Sequence, residues 1–198
     1  MVARRPERKG MSMIQGAQGG SPLIRGDETV LVIIDMQERL FPVMAGKEGL
    51  LENVMKLVKF SKVMGLPVLV TEQEKLGNTL PEIREELKGV QPIGKVDFNC
   101  FGCEAFSQSL VGLQRKTLLL AGIEAHICVA QTALHAVSGY SVHAVSDAIA
   151  CRSPHNHRIA EERMMQGGVT VTSAEMAIYE ILGSAGTDTF REVLRLVK

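Results

Sequence analysis

The sequence predicts a three-layer α/β/α fold in which helices cover both faces of a central, mostly parallel six-stranded sheet. Short apolar runs alternate with stretches of helical spacing along the chain. That alternation is typical of right-handed strand–helix–strand units. The first run, at 29–34, has no polar alternation, as expected of a strand covered on both faces. No internal repeat or low-complexity linker divides the chain, so we expect one domain.

The predicted elements follow from apolar runs, helical spacing and the residues that end them. Gly65 ends the first helical pattern, Pro81 opens a short acidic helix, and Ser173 caps a late helix. The predicted strands lie at 29–34, 67–71, 90–96, 117–121, 140–146 and 169–172. The predicted helices lie at 50–65, 80–87, 106–113, 128–138, 155–166, 173–182 and from 187 onward.

Composition bounds the class of protein. The chain has 198 residues, 45% of them hydrophobic, which suits a single core that needs no disulfides. With 22 basic and 22 acidic side chains, nothing indicates a nucleic-acid or membrane partner. Four cysteines and no signal-like apolar segment favour a reduced, cytoplasmic protein. We expect residues 1–27, which are basic and glycine-containing, to form a weakly ordered extension before a domain at 28–198.

Three polar residues follow predicted strands, where ligands collect in parallel α/β sheets. Asp35 comes directly after the first strand, Lys95 stands near the end of the third, and Cys128 begins a helix. A helix start can lower the pKa of a thiol, which would make Cys128 a nucleophile. Spacing alone also allows a packed cysteine, an acid that caps a turn and a solvated lysine.

Four segments, in order along the chain, add to this pattern. They are the segments 32–37 (Val-Ile-Ile-Asp-Met-Gln), 95–100 (Lys-Val-Asp-Phe-Asn-Cys), 122–133 (containing Gly-Ile-Glu-Ala-His-Ile-Cys-Val) and 145–148 (Val-Ser-Asp-Ala). On these motifs, the chain resembles the isochorismatase-like cysteine hydrolases from about residue 28 to 182. The resemblance implies the same three-layer fold and hydrolysis of a small molecule.

The resemblance also implies a catalytic triad of Asp35, Lys95 and Cys128. In it, Cys128 attacks an amide-like carbon to form a thioester, Asp35 carries the proton, and Lys95 stabilises the charged groups. It further implies a cis peptide bond at Ile123–Glu124, with the amides of Glu124 and Cys128 forming an oxyanion hole.

Other expectations concern the substrate pocket and the partners. Gln37, Phe98, Cys100 and His126 are candidates for lining the pocket. The segment 71–77 contains no histidine, unlike the metal-binding amidases of the family, so we expect no metal and no cofactor. Family members that cleave isochorismate lack the cysteine, which disfavours isochorismate as substrate. The family pattern also implies assembly from identical subunits, with the late helices as the natural interface.

Two other hypotheses remain open at this stage. Glu124 and His126 stand where the amidase members commonly have Ala and Asp, which allows a non-catalytic member of the same fold that binds a small molecule or a protein. Cys100 and Cys103 have the spacing of a redox pair, which allows a thiol redox protein.

Overall fold

The structure, a computed structural model, describes residues 23–197 and contains one six-stranded sheet in the order β3-β2-β1-β4-β5-β6. All neighbouring strands in it run parallel. The strands are β1 (Thr29–Ile34), β2 (Val68–Gln73), β3 (Ile93–Lys95), β4 (Thr117–Ile123), β5 (Ser141–Ala150) and β6 (Thr170–Thr172). The predicted three-layer fold is therefore confirmed, with a fully parallel sheet.

Seven α-helices cover the two faces of this sheet within the described residues. They are α1 (Lys47–Met64), α2 (Pro81–Glu86), α3 (Glu104–Gly112), α4 (Ala130–Ala136), α5 (Pro154–Gln166), α6 (Ala174–Leu182) and α7 (Asp188–Val197). Ser173 caps α6, since its hydroxyl accepts a hydrogen bond from the amide of Met176 at 3.2 Å. Gly65 ends α1 with a positive φ of 64°, as glycine permits.

Some boundaries differ from the sequence prediction. The strand expected at 90–96 is reduced to three residues, and β5 continues four residues past the expected end, to Ala150. The helix expected from Cys128 starts earlier, as a π-helical turn at Ala125–Val129 that continues into α4. A π-helical turn is wider than an α-helical turn, so the period of the apolar residues along the chain could not predict it.

The core has two apolar layers, one on each face of the sheet. Leu31 and Ile33 of β1 point into the layer built with α1, α6 and α7, while Val32 and Ile34 point into the layer built with α3, α4 and α5. Every residue of β1 is buried. The unbroken apolar run of β1 is thus explained by its central position, since both of its faces pack against side chains.

β1 and β4 approach each other closely at the end of the sheet that carries the predicted site. Ile34 is paired with Gly122, whose φ is +122°. A Cβ atom on residue 122 would lie 2.0 Å from the carbonyl oxygen of Ile34. Glycine is therefore required here, and the close approach brings the residues after β1 beside those after β4.

The first described residues belong to the folded part of the chain. Ile24 is buried in the core, and its amide donates to the Glu180 carboxylate at 3.0 Å. The predicted weakly ordered extension otherwise falls on residues 1–22, outside the described residues. Between residues 23 and 197, no helix has the length and apolar character that crossing a bilayer requires.

Candidate active site

Asp35 is the first residue after β1, and its backbone turns sharply there. Its φ is +52°, in the left-handed region, which aspartate tolerates better than most residues. The amide of Gln37 donates to the Asp35 carbonyl at 2.8 Å, and the Asp35 amide donates to the Thr71 carbonyl at 3.2 Å. The turn is thus anchored to β2 and holds the Asp35 side chain beyond the strand ends.

The Asp35 carboxylate is buried and held by two side chains from neighbouring strands. Lys95 Nζ donates to Oδ2 at 2.7 Å, and the Thr71 hydroxyl donates to Oδ1 at 2.8 Å. Neither side chain of the Asp35–Lys95 ion pair is exposed to solvent. A buried ion pair of this kind persists only when further hydrogen bonds satisfy its atoms, and Thr71 supplies one of them.

Lys95 uses all three of its ammonium hydrogens within the protein. Besides Asp35, Nζ donates to Gln73 Oε1 at 2.7 Å and to the Asp97 carbonyl at 3.2 Å. Burial acts to lower the pKa of Lys95, but the charge of Asp35 and the hydrogen bond to it outweigh burial, so the pKa is raised. Lys95 therefore acts in this site as a fixed positive charge.

Cys128 lies in the π-helical turn and is nearly buried, with 5% of its surface exposed. The charges of Asp35 and Lys95 both act on its thiol. Burial, followed by the negative charge of Asp35, raises the pKa of this thiol, while Lys95 lowers it by a smaller amount. The expectation of a lowered thiol pKa was therefore wrong, because burial and the charge of Asp35 raise it.

The structure thus brings together the three residues proposed as a triad. With its raised pKa, Cys128 is a neutral thiol at neutral pH, and the carboxylate beside it can accept its proton. This arrangement suits proton transfer to Asp35 during nucleophilic attack rather than a thiolate formed in advance.

Glu124 is the residue whose backbone amide is predicted to contribute to an oxyanion hole. The Ile123–Glu124 peptide bond is cis, and the amides of Ile127 and Val129, on either side of Cys128, donate to the Glu124 carbonyl at 3.0 and 3.3 Å. The buried Glu124 carboxylate accepts hydrogen bonds from Arg152 Nε at 3.1 Å and from the Arg152 amide at 2.9 Å. Glu124 therefore ties the segment before Cys128 to the connection between β5 and α5.

The four residues predicted to line the pocket have different environments. Phe98 is 53% exposed, in the loop that follows Lys95. Gln37 is fully buried, and its side-chain amide bonds the backbone of Gln73 and Gly77 at 2.7–3.0 Å. Cys100 is also fully buried and faces no open surface. His126 is half-buried, with Nδ1 3.1 Å from the Cys151 sulfur.

Sequence reasoning missed Thr71 and Gln73 as parts of the site. Both lie at the end of β2 and bond the side chains of Asp35 and Lys95 directly. The rule that selected Asp35, namely a polar residue at the end of a buried strand, could have selected them as well.

A cavity of about 420 Å³ lies between the start of α1 and the connection from β5 to α5. Its lining includes Gly46, Asn53, Asp147, Cys151 and His157, and none of Asp35, Lys95 or Cys128. We place the site at the triad, because the buried charges converge there. Among residues 23–197, no group of three or more His, Cys, Asp and Glu side chains is arranged to hold a metal ion.

The buried thiols predict a loss of stability at alkaline pH. Burial raises the pKa of Cys100 from 9.0 to about 11, and burial also raises the pKa of Cys128 and of Cys151. Above pH 9 the unfolded chain releases thiol protons that the native state retains, so the free energy of unfolding falls as pH rises. The limiting slope is about 1.4 kcal/mol per pH unit for each such thiol.

Urea unfolding in reducing buffer, from about pH 8 to about pH 10, measures this slope. Cys100→Ala should make the dependence of the unfolding free energy on pH less steep by the contribution of one thiol. Cys103→Ser, which changes a thiol at a half-buried position, serves as the matched control. An unfolding free energy that stays constant over this interval would contradict the expectation.

The family model and the similar proteins of known sequence all indicate one domain family. Residues 29–176 match the isochorismatase domain family. The chain is 34% identical over 177 residues to the secreted isochorismatase effector Isc1 of Phytophthora sojae, covering 86% of this chain and 84% of that protein. It is 33% identical over 174 residues to human isochorismatase domain-containing protein 2, covering 86% and 83% of the two chains.

Solved structures share the fold. The MAR1 ribonuclease of Caenorhabditis elegans superposes with a TM-score of 0.83 and 28% identity, over 88% of this chain and 92% of that one. YcaC of Escherichia coli, described as an octameric hydrolase of unknown specificity, superposes with a TM-score of 0.85 and 21% identity, over 90% and 92% of the two chains.

Proposed function

The chain belongs to the isochorismatase family, and we propose that it is a cysteine hydrolase that cleaves a carbon–nitrogen bond of a small amide-like molecule. The observation that carries this proposal is the buried ion pair of Asp35 and Lys95, whose charges both act on the Cys128 thiol. A nucleophile, a base and a fixed positive charge are the groups that acyl transfer through a thioester needs.

In the proposed reaction, the Cys128 sulfur attacks the carbonyl carbon of the substrate while Asp35 takes the thiol proton. The amides of Glu124 and Cys128 donate to the oxyanion that forms. When the carbon–nitrogen bond breaks, Asp35 passes its proton to the leaving amine, and a thioester remains on Cys128. Asp35 then removes a proton from a water molecule that attacks the thioester, which releases the acid and restores the thiol.

Lys95 stabilises the negative charge of this site throughout the cycle. Its ammonium group donates hydrogen bonds to Asp35, Gln73 and Asp97. The ammonium therefore remains in place while the negative charge moves between the Asp35 carboxylate and the Cys128 sulfur. Thr71 and Gln73 fix the geometry of the pair, and they are positioning residues in this scheme.

A panel of small amides and ureides tests the proposal. We expect release of amine or ammonia from at least one compound, together with a covalent adduct on Cys128 that mass analysis of peptides detects. Cys128→Ala should abolish both signals, while Cys151→Ala, which removes a buried thiol outside the triad, serves as the matched control. An RNA substrate belongs in the panel, because one structural neighbour is described as a ribonuclease.

A second candidate function is binding without catalysis, in the same fold. The low exposure and raised pKa of Cys128 favour it, because both slow nucleophilic attack. A compound of the panel that raises the unfolding temperature equally in the native chain and in Cys128→Ala, without any turnover, would support this candidate against hydrolysis.

Assembly from identical subunits remains part of the proposal. One structural neighbour is described as octameric, and exposed apolar side chains lie on α5 and α6, at Ile159, Met165, Met176 and Tyr179. Light scattering coupled to size-exclusion chromatography measures the mass of the particle, and a monomer at micromolar concentration would count against assembly.

A further inference from the structure

The cavity between the start of α1 and the connection from β5 to α5 is a concave site that the proposed hydrolysis does not use. Its volume of about 420 Å³ lies within the range of cavities in which proteins bind small molecules. None of Asp35, Lys95 and Cys128 lines it. The cavity therefore has the size to hold a ligand of its own, apart from the triad.

One wall of the cavity is a face of α1. Gly46, Gly49, Leu50 and Asn53 line it, and their spacing of three and four residues places them on one side of the helix. A Cβ atom at either glycine would meet no atom within 4 Å, so the absence of side chains there keeps the cavity open. With Leu50 and Ile149 in the lining, the body of a ligand would pack against apolar surface.

The polar side chains of the lining offer hydrogen-bond acceptors. Asp147 Oδ1 accepts the amide of Ala174 at 2.8 Å, and its second carboxylate oxygen has no hydrogen-bond partner within residues 23–197. Asn53 Nδ2 donates to the Asp147 carbonyl at 3.0 Å, which leaves the Asn53 side-chain oxygen as an acceptor. No lysine or arginine stands among the described residues of the lining. These groups suit a ligand that donates N–H hydrogen bonds and carries positive charge.

His157, the other ionisable nitrogen group of the lining, faces a carboxylate. Its Nε2 lies 3.2 Å from Glu161 Oε1, and the same oxygen accepts a hydrogen bond from the Ser146 hydroxyl. The Glu161 carboxylate therefore offsets positive charge on the imidazole ring, so the ring does not repel a cationic ligand.

Two helices begin at the cavity, and neither start makes it a site for anions. The N-terminus of a helix attracts negative charge through its unpaired amides. However, α5 begins with Pro154, which has no N–H, and the first turn of α1 already carries the negative charge of Glu48. Among the described residues that line the cavity, Asp147 is left as the charge without an oppositely charged partner.

We propose that this cavity binds a small organic cation, namely a protonated amine with a compact apolar body, at a site separate from the triad. The ammonium group donates to the Asp147 carboxylate and to the side-chain oxygen of Asn53, while the apolar body packs against Leu50 and Ile149. Burial of the apolar body contributes affinity, and the charge-assisted hydrogen bond to Asp147 fixes the orientation. Binding at this site requires no hydrolysis and goes beyond the proposed function.

Isothermal titration calorimetry with three ring compounds of similar shape tests the proposal. They are cyclohexylamine, a cation at neutral pH, the neutral cyclohexanol and the anionic cyclohexanecarboxylate. At low ionic strength we expect cyclohexylamine to bind saturably at millimolar concentration, about fivefold or more tightly than cyclohexanol. We expect no binding of the carboxylate. The proposal is overturned if cyclohexylamine shows no saturable binding, or binds no better than either of the other two compounds.

Two variants locate the bound amine. Asp147→Asn keeps an oxygen for the Ala174 amide but removes the charge, so it should weaken cyclohexylamine binding about fivefold or more and leave cyclohexanol binding unchanged. Gly49→Leu places a side chain on the cavity face of α1 and should abolish binding of both compounds. Leucine is favoured over glycine within a helix, so this variant should fold. Gly112→Leu, which fills open space in α3 instead, is the matched control and should bind as the native chain does.

The variants also give results that would contradict the proposal. Cyclohexylamine binding that is as tight in Asp147→Asn as in the native chain, or that survives in Gly49→Leu, would place the amine elsewhere and overturn it. Circular dichroism identifies any variant that fails to fold. None of these titrations requires turnover, so failure of the proposed hydrolysis and failure of the amine site are distinguishable.

Discussion

Replacing Cys128 by alanine is expected to reduce the hydrolysis of any substrate found for this chain by about 10⁴-fold or more, as in enzymes that lose a covalent nucleophile. The physical reason is that, among the thiols of the described residues, only that of Cys128 lies in the π-helical turn after Glu124, where the charge of Asp35 acts on it. The rate of amine release, measured under single-turnover conditions, gives the effect on the chemical step.

Two comparisons make this expectation specific. Cys128→Ser keeps the shape and a hydroxyl nucleophile, and it should also be severely impaired, because a serine hydroxyl loses its proton less readily than a thiol. Cys151→Ala removes a buried thiol next to His126 and should retain most of the rate. Turnover that survives in Cys128→Ala would show that the thiol is not the nucleophile.

Breaking the buried ion pair should have a large effect on stability. Lys95→Met leaves the Asp35 carboxylate without its cation, and Asp35→Asn leaves the Lys95 ammonium without its anion. Because neither side chain is exposed, each change should lower the free energy of unfolding by about 3–5 kcal/mol. Urea unfolding at neutral pH measures both losses.

The double variant Asp35→Asn/Lys95→Met separates stability from chemistry. A neutral pair in place of a buried ion pair is often nearly neutral in stability, so we expect the double variant to regain most of the loss while remaining inactive. Asparagine is chosen at position 35 because it tolerates the left-handed backbone found there. Losses that simply add in the double variant would show that the two groups do not interact.

The fold was predictable from the sequence because its signals are local. The unbroken apolar run of β1 reports a strand with both faces covered, and Gly65 and Ser173 end and begin helices where the structure ends and begins them. The short β3 was harder to define, because at the edge of the sheet it pairs with β2 over only three residues and its apolar pattern is weak.

The candidate site was predictable in part. The position after a buried strand selected Asp35, whereas the roles of Thr71, Gln73 and Arg152 depend on contacts between segments far apart in sequence. The pKa of Cys128 could not be inferred from its place near a helix start. Burial and the charge of Asp35 determine it, and both depend on how the strands come together.

The rate of iodoacetamide alkylation of Cys128 as a function of pH, compared between the native chain and Asp35→Asn, decides whether the carboxylate controls the thiol. Because the charge of Asp35 raises the pKa of Cys128, its removal should move the alkylation midpoint to lower pH while hydrolysis falls. Lys95→Met should move the midpoint to higher pH, since Lys95 lowers that pKa. A midpoint that is unchanged, or higher, in Asp35→Asn would contradict the proposed contact between base and nucleophile.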